Sequence, residues 1–232
     1  MMASVAPSTT YDDRRERLET YFDRTASKTW ERLTSDAPVS GIRATVRAGR
    51  DLMRANLLSW LPEDLTGLRL LDAGCGTGAL SVEAARRGAD VVAIDVAGSL
   101  VDVARTRTPA HLAIDWRVGD MLDPSLGRFD HVVAMDSLIH YRASDIANVV
   151  AALGARTSGS MLFTFAPSSA MLEVMHKVGM LFPRGDRAPA IEPVREKLLR
   201  KLIGQAMPDA RIGRSQRVAS GFYTSHALEV LP

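Results

Sequence analysis

The run Leu70-Leu-Asp-Ala-Gly-Cys-Gly-Thr-Gly78 constrains this chain more than any other. An apolar strand end meets an acid and then a loop with glycine at every second position. Gly74, Gly76 and Gly78 let the backbone turn sharply and approach a ligand with no Cβ in the way. The helix expected next begins with unpaired N–H groups and a partial positive charge. The following apolar run, Val91-Val-Ala-Ile94, closes on Asp95, whose carboxylate at the neighbouring strand tip can accept both hydroxyls of a ribose. Strand, glycine loop, helix and strand in this order specify a βαβ unit of an α/β fold. A nucleotide-like cofactor would lie at the carboxyl edge of its parallel sheet.

The spacing alone leaves two cofactors open. Gly74-x-Gly76-x-x-Ala79 fits the dinucleotide fingerprint, and Asp95 stands roughly 20 residues further on, as that fingerprint requires. Two other features point to S-adenosylmethionine instead of NAD. Asp72 precedes the first glycine by two residues, where a buried carboxylate can organise the loop and the amino-acid part of a methionine-like ligand. Asp120-Met121, closing the run that ends Val118-Gly119, pairs an acceptor for an adenine amino group with an apolar cover for the ring. The string resembles the class I S-adenosylmethionine-dependent methyltransferases. Asp72 to Gly78 is then the first motif, Asp95 the ribose acid and Asp120-Met121 the adenine-contacting pair, with Val96 beside them. Cys75 belongs to the same loop, where its small size is a sufficient explanation. It is the only cysteine of the chain, so no disulfide framework exists and a reducing compartment fits.

From about residue 68 short apolar runs alternate with helical stretches, the pattern of a doubly wound, mostly parallel sheet. Strands are expected near 68–73, 89–95, 112–118, 129–135 and 158–165, and helices near 78–87, 97–107 and 144–154, with Ser144-Asp145 as a cap for the last. Two more strands are expected around the turn-like pair Ser220-Gly221. The methyltransferase resemblance makes that final pair antiparallel and the sheet seven-stranded, a Rossmann-like core. Residues 1–10 read as a disordered tail, 11–62 as an N-terminal helical arm, 63–167 as the cofactor-binding core, 168–205 as an inserted helical cap and 206–232 as the strand pair completing the core. The arm carries Arg43, Arg47, Arg50 and Arg54 on an amphipathic helix from Val39 to Leu61; the cap carries Met171, Met175, His176 and Met180. A net charge of +2 is too small to make nucleic acid the main partner. No stretch approaches the roughly 20 apolar residues of a membrane span, which points to the cytoplasm and leaves room for peripheral contact at the inner membrane.

The fourth strand ends in Met135-Asp-Ser-Leu-Ile-His-Tyr141, so these residues face the cofactor's reactive end and the acceptor. Asp136 and Ser137 are expected on the cofactor side. His140 and Tyr141 are expected at the acceptor, because a loop histidine at the mouth of a site can hydrogen-bond an acceptor or ligate a metal. His111, His131 and His226 read as structural or exposed. Tyr21-Phe-Asp-Arg-Thr-Ala-Ser-Lys-Thr-Trp30, Val46-Arg-Ala-Gly-Arg50, the glycine loop, Asp136 to Tyr141, Thr164-Phe-Ala-Pro167 and Leu181-Phe-Pro183 together resemble the magnesium-protoporphyrin IX O-methyltransferase family of chlorophyll and bacteriochlorophyll synthesis. The resemblance implies conversion of one propionate carboxylate of the magnesium porphyrin to its methyl ester, with S-adenosylhomocysteine released. It places an arm tyrosine and a histidine at the acceptor, here Tyr21 and His140, with Tyr11 the other tyrosine of the arm. It also implies association with the large porphyrin-binding subunit of magnesium chelatase. Arg47 and Arg50 are the preferred partners for propionate, with Tyr141, Met175 and His176 on the apolar substrate side. No metal is expected on protein ligands alone; His140 could contact the porphyrin magnesium. A methyltransferase of a quinone or phenol, an NAD-dependent oxidoreductase and a non-catalytic porphyrin carrier are the alternatives.

Overall fold

The computed structural model describes residues 9–23, 34, 41–168 and 190–232. The helices are α1 (Thr9–Tyr21), α2 (Ile42–Ser59), α3 (Ala79–Arg86), α4 (Gly98–Arg107), α5 (Ala143–Gly154) and α6 (Glu196–Ala206). The strands are β1 (Arg69–Ala73), β2 (Asp90–Asp95), β3 (Ile114–Val118), β4 (Phe129–Ala134), β5 (Thr157–Phe165), β6 (Arg211–Ser220) and β7 (Tyr223–Leu231). They form one sheet in the order β3-β2-β1-β4-β5-β7-β6. The first five run parallel, whereas β7 lies antiparallel between β5 and β6. This is the seven-stranded arrangement the sequence led us to expect. α1 starts at Thr9, inside the stretch read as a tail.

Alternation along the strands divides the core between two faces. Leu71, Val92, Val132 and Phe163 point to a face closed by α1, α5 and α6 through Leu18, Ile146, Leu199 and Ile203. Leu70, Val91, Val133 and Leu162 point to the other, closed by α2 and α3 through Met53, Leu57, Leu80 and Ala84. β1 pairs with both β2 and β4, so the chain's direction of winding reverses between β1 and β4. In open α/β sheets that switch point leaves a crevice at the carboxyl ends of the strands, where ligands bind.

The cap proposed for α5 takes another form. The helix starts at Ala143 with Arg142 before it and no side-chain cap bond. Asp145 lies in the first turn, where its Oδ1 accepts from Thr10 Oγ1 of α1 at 2.8 Å. The acid read as a local cap fastens the arm to the core. Among the described residues no helix is long and apolar enough to cross a membrane.

Candidate active site

The glycine loop leaves β1 at the switch point. Gly74 has φ +86 and an added Cβ would lie 2.3 Å from Ser137 Cβ, so only glycine lets the loop pass the turn after β4. Gly76 has φ +54 and nothing within 4 Å of a would-be Cβ, which leaves bare backbone facing open space. Asp95 holds this loop in place: its Oδ2 accepts from Gly76 N at 2.8 Å and its Oδ1 from Ala97 N at 3.0 Å. Each oxygen keeps a lone pair for a further donor. Burial pushes the Asp95 carboxyl above its ordinary range, against hydrogen bonds from the Ala97, Gly76 and Val96 amides that pull it down. Asp72 is also buried; it accepts from Ser81 Oγ at 2.5 Å, tying β1 to the first turn of α3. Burial, opposed by that bond, raises its pKa to about 7. Cys75 is buried and its thiol is pushed well up, first by burial and then by Asp95 and Asp72, so it stays a neutral, inert thiol.

Two clefts meet at this loop, both lined by Gly74, Gly76, Thr77 and Arg50. The first, about 760 Å³, is mainly apolar, with Ile94, Val96, Leu100 and Met121 around Asp95. Asp136, Ser137, His140 and Tyr141 line the same cleft, so the loops after β1, β2 and β4 converge there. The second, about 980 Å³, is polar and lies between the loop and α2, with Arg47, Arg50 and Arg54 on one side and Asp72 and Cys75 on the other. Apolar walls beside an acid with free acceptor capacity, next to bare glycine backbone, fit an adenosyl group. A neighbouring polar cleft fits the amino-acid end of the same ligand.

The acceptor side departs from expectation in its tyrosines. Tyr11 of α1 lines the apolar cleft, buried and stacked on Tyr141 with ring centroids 5.1 Å apart. Its hydroxyl donates to Asp120 Oδ1 at 2.6 Å, and Leu122 N donates to the same oxygen at 2.9 Å. Asp120 therefore turns towards the arm and is not among the residues lining the cleft. Tyr21 is only partly buried, edge-on to Phe22, and is also absent from the cleft walls. Burial raises the hydroxyl pKa of both Tyr11 and Tyr141, so both stay protonated donors. His140 is buried, with the Phe22 ring 6.3 Å away in an edge contact. Its Nδ1 donates to Ala190 O at 3.3 Å, since a carbonyl can only accept. Arg50 Nη1 donates to Asp136 Oδ2 at 2.8 Å. Met175 and His176 lie outside the described residues. Of the other histidines, His131 bonds Ser160, while His226 bonds Ser215 and stacks on Phe165; both serve the fold.

The family model described as magnesium-protoporphyrin IX methyltransferase C-terminus matches residues 134–232, and a general methyltransferase domain model matches 70–157. The magnesium-protoporphyrin O-methyltransferase of Rhodobacter capsulatus is 51% identical, over 96% of this chain and 98% of the relative. The chain belongs to the magnesium-protoporphyrin O-methyltransferase family. The enzyme of that name from Synechocystis is 29% identical, over 91% of this chain and 93% of its own length. The crystal structure of the Synechocystis magnesium protoporphyrin IX methyltransferase with bound SAH superposes with a TM-score of 0.84, at 28% identity, covering 94% of this chain and 99% of that one. The second family model takes in the glycine loop, Asp95 and Asp120-Met121, whereas the magnesium-protoporphyrin model begins at Ala134, one residue after Val133 of β4, and so covers the turn from Asp136 to Tyr141. Membership in this family makes the chain a methyltransferase and sets aside the oxidoreductase and carrier alternatives.

Proposed function

We propose that this enzyme methylates one propionate carboxylate of magnesium protoporphyrin IX, with S-adenosylmethionine as donor, to give the methyl ester used in chlorophyll or bacteriochlorophyll synthesis. The observation that carries the reading is the single cleft in which the glycine loop and Asp95 stand opposite His140, Tyr141 and Tyr11. The bound cofactor supplies an electrophilic methyl group on its sulfonium. Asp95 and the Gly76 backbone would hold the ribose, Val96 and Met121 the adenine, and Asp72, Gly74, Cys75 and Gly78 shape the loop around the amino-acid end. Asp120 belongs to the adenine end through Tyr11, which holds its carboxylate.

A free carboxylate has a pKa near 4–5, so at neutral pH the acceptor is already ionised and no general base is required. What remains is orientation and the exclusion of water, because the nucleophile must stand roughly 3 Å from the methyl carbon and in line with the leaving sulfur. His140 suits that task. It lines the cleft beside Tyr141, where an imidazole can hold the carboxylate or contact the porphyrin magnesium. Tyr11 and Tyr141 wall the cleft and keep their hydroxyl protons. Arg50 lines both clefts while bonded to Asp136, whereas Arg47 lines only the polar one, so Arg47 as a guanidinium partner for a propionate rests on the sequence. Tyr21, Met175 and His176 rest on the family resemblance and their sequence positions alone. So do association with the large porphyrin-binding subunit of magnesium chelatase and a cytoplasmic location with peripheral membrane contact.

The test is an assay with S-adenosylmethionine and either magnesium protoporphyrin IX or the metal-free porphyrin, products identified by mass. The monomethyl ester should form faster from the magnesium porphyrin, and His140→Gln should shrink that preference. Faster turnover of a quinone or phenol than of either porphyrin would overturn the assignment.

A further inference from the structure

Asp136, just past β4, is the one non-glycine residue at positive φ among the described residues, at 55°. A side chain with a Cβ is unfavourable there and persists only where its surroundings hold it. Its carboxylate is 5% exposed and gathers four donor residues from three segments distant in sequence. Arg50 Nη1 of α2 reaches Oδ2 at 2.8 Å. The Tyr223 hydroxyl of β7 spans both oxygens, at 3.0 and 3.2 Å. Ser225 Oγ, two residues along and therefore on the same strand face, reaches Oδ1 at 3.2 Å, as does Thr164 Oγ1 of β5. Thr164 Oγ1 in turn accepts from the Asp136 amide at 2.7 Å. With its lone pairs taken by these groups, Asp136 acts as an internal tie and not as the cofactor ligand its position suggests.

What it ties is the acceptor turn. Ser137, the next residue, donates from Oγ to Ala73 O at 2.8 Å and packs its Cβ against Gly74, keying the turn to the glycine loop. The short helical turn Leu138–His140 follows directly and carries His140 into the cleft. Tyr223 itself does not line that cleft. Its ring packs on Gly49 of α2, where any Cβ would meet Tyr223 Cδ1 at 2.4 Å, and this contact brings Arg50 within reach of Asp136. Burial, and then the Asp136 carboxylate, raise the Tyr223 hydroxyl pKa, so it remains a donor.

We propose that Tyr223 is a positioning residue for methyl transfer, holding Asp136 in the left-handed turn that presents Ser137 and His140 to the cleft. The activity arm of its test rests on the proposed function; a spectroscopic arm does not. Tyr223→Phe keeps the ring and removes only the hydroxyl. Glu229→Gln, on the same strand but away from the site, weakens the ion pair between the buried Glu229 carboxylate and the half-exposed Arg214 and serves as a stability control. Tyr223→Phe should lower kcat by about tenfold to a hundredfold, leave the dissociation constant of S-adenosylhomocysteine within about twofold, and shift the ring NMR resonances of His140 in the ligand-free protein, assigned by their loss in His140→Gln. Glu229→Gln should lower the melting temperature and do neither. If, below both melting transitions, Tyr223→Phe matches Glu229→Gln in kcat and in the His140 resonances, Tyr223 is structural only and the proposal falls. Should the wild type fail to methylate the magnesium porphyrin, the proposed function fails and the His140 resonances alone decide this one. Should Tyr223→Phe not fold, Ser225→Ala removes another donor from the same carboxylate; unchanged kcat and His140 resonances in it would likewise overturn the proposal.

Discussion

Asp72 and Asp95 sit on adjacent strands and are both buried, yet their bonds differ in kind. Asp95 accepts amides of the glycine loop and of the turn after β2, whereas Asp72 is bonded to Ser81 of α3 alone. With a native pKa of about 7 and an unfolded value near 4, Asp72 binds a proton in the native state that the unfolded chain has already released. Stability from this group is therefore present below about pH 4 and declines as pH rises towards 7. Asp72→Asn removes the titration and keeps a group able to bond Ser81. The melting temperature of the variant relative to wild type should therefore rise between pH 5 and pH 8. Thermal melts across that range check it; a constant difference would show that Asp72 is ionised throughout. The acid two residues before Gly74 was legible in the sequence because motif spacing is local. Its partner Ser81, nine residues on, depends on how α3 docks. The exchange of Tyr21 for Tyr11 on the cleft wall has the same origin: both are arm tyrosines, and only the seating of α1 on Asp120 and Asp145 distinguishes them.

Among the elements, α2 shows how a helix can be read correctly and its purpose missed. Its apolar stripe predicts a helix from Val39 to Leu61, and Ile42–Ser59 is observed, with Met53, Leu57 and Leu58 buried against the sheet. Gly49 at its centre looks like a weak point, since alanine is better in a helix by about 1 kcal/mol. Yet three Tyr223 ring and Cβ atoms lie within 2.7 Å of the Cβ that alanine would add. Overpacking of this kind costs about 1–3 kcal/mol, which exceeds the propensity gain. Gly49→Ala should therefore lower the melting temperature by about 2–4 °C for each net kcal/mol lost; a rise on calorimetry would mean that α2 can move away from β7 freely. The glycine's role was hidden because the antiparallel docking of β7 beside β5 is a long-range pairing that no local pattern announces.

At the level of the whole molecule, strand order explains why the donor side was easier to read than the acceptor side. β1 and β2 are neighbours in sequence and in the sheet, so Gly76 and Asp95 meet through one βαβ unit. The acceptor turn draws on the arm, β5 and β7 together. Because ligand that binds only the folded state stabilises by about 2.7 kcal/mol at a hundredfold excess over its dissociation constant, S-adenosylhomocysteine at that level should raise the melting temperature by about 5–11 °C. Asp95→Ala should lose most of that shift, and NADH should produce none. An equal shift in Asp95→Ala would sink the ribose assignment.

The brace on Asp136 also has a temporal side. A chain leaves the ribosome in order, and domains begin to fold from their N-terminal parts. The walls of the donor cleft, Gly74 to Met121, are made about a hundred residues before Tyr223. A nascent or prematurely terminated chain can therefore hold the glycine loop and Asp95 while the turn bearing His140 still lacks its tie. Such a chain would have the parts to bind the methyl donor before those needed to deliver its methyl group, so translation itself sets the order in which the two halves of the site are built.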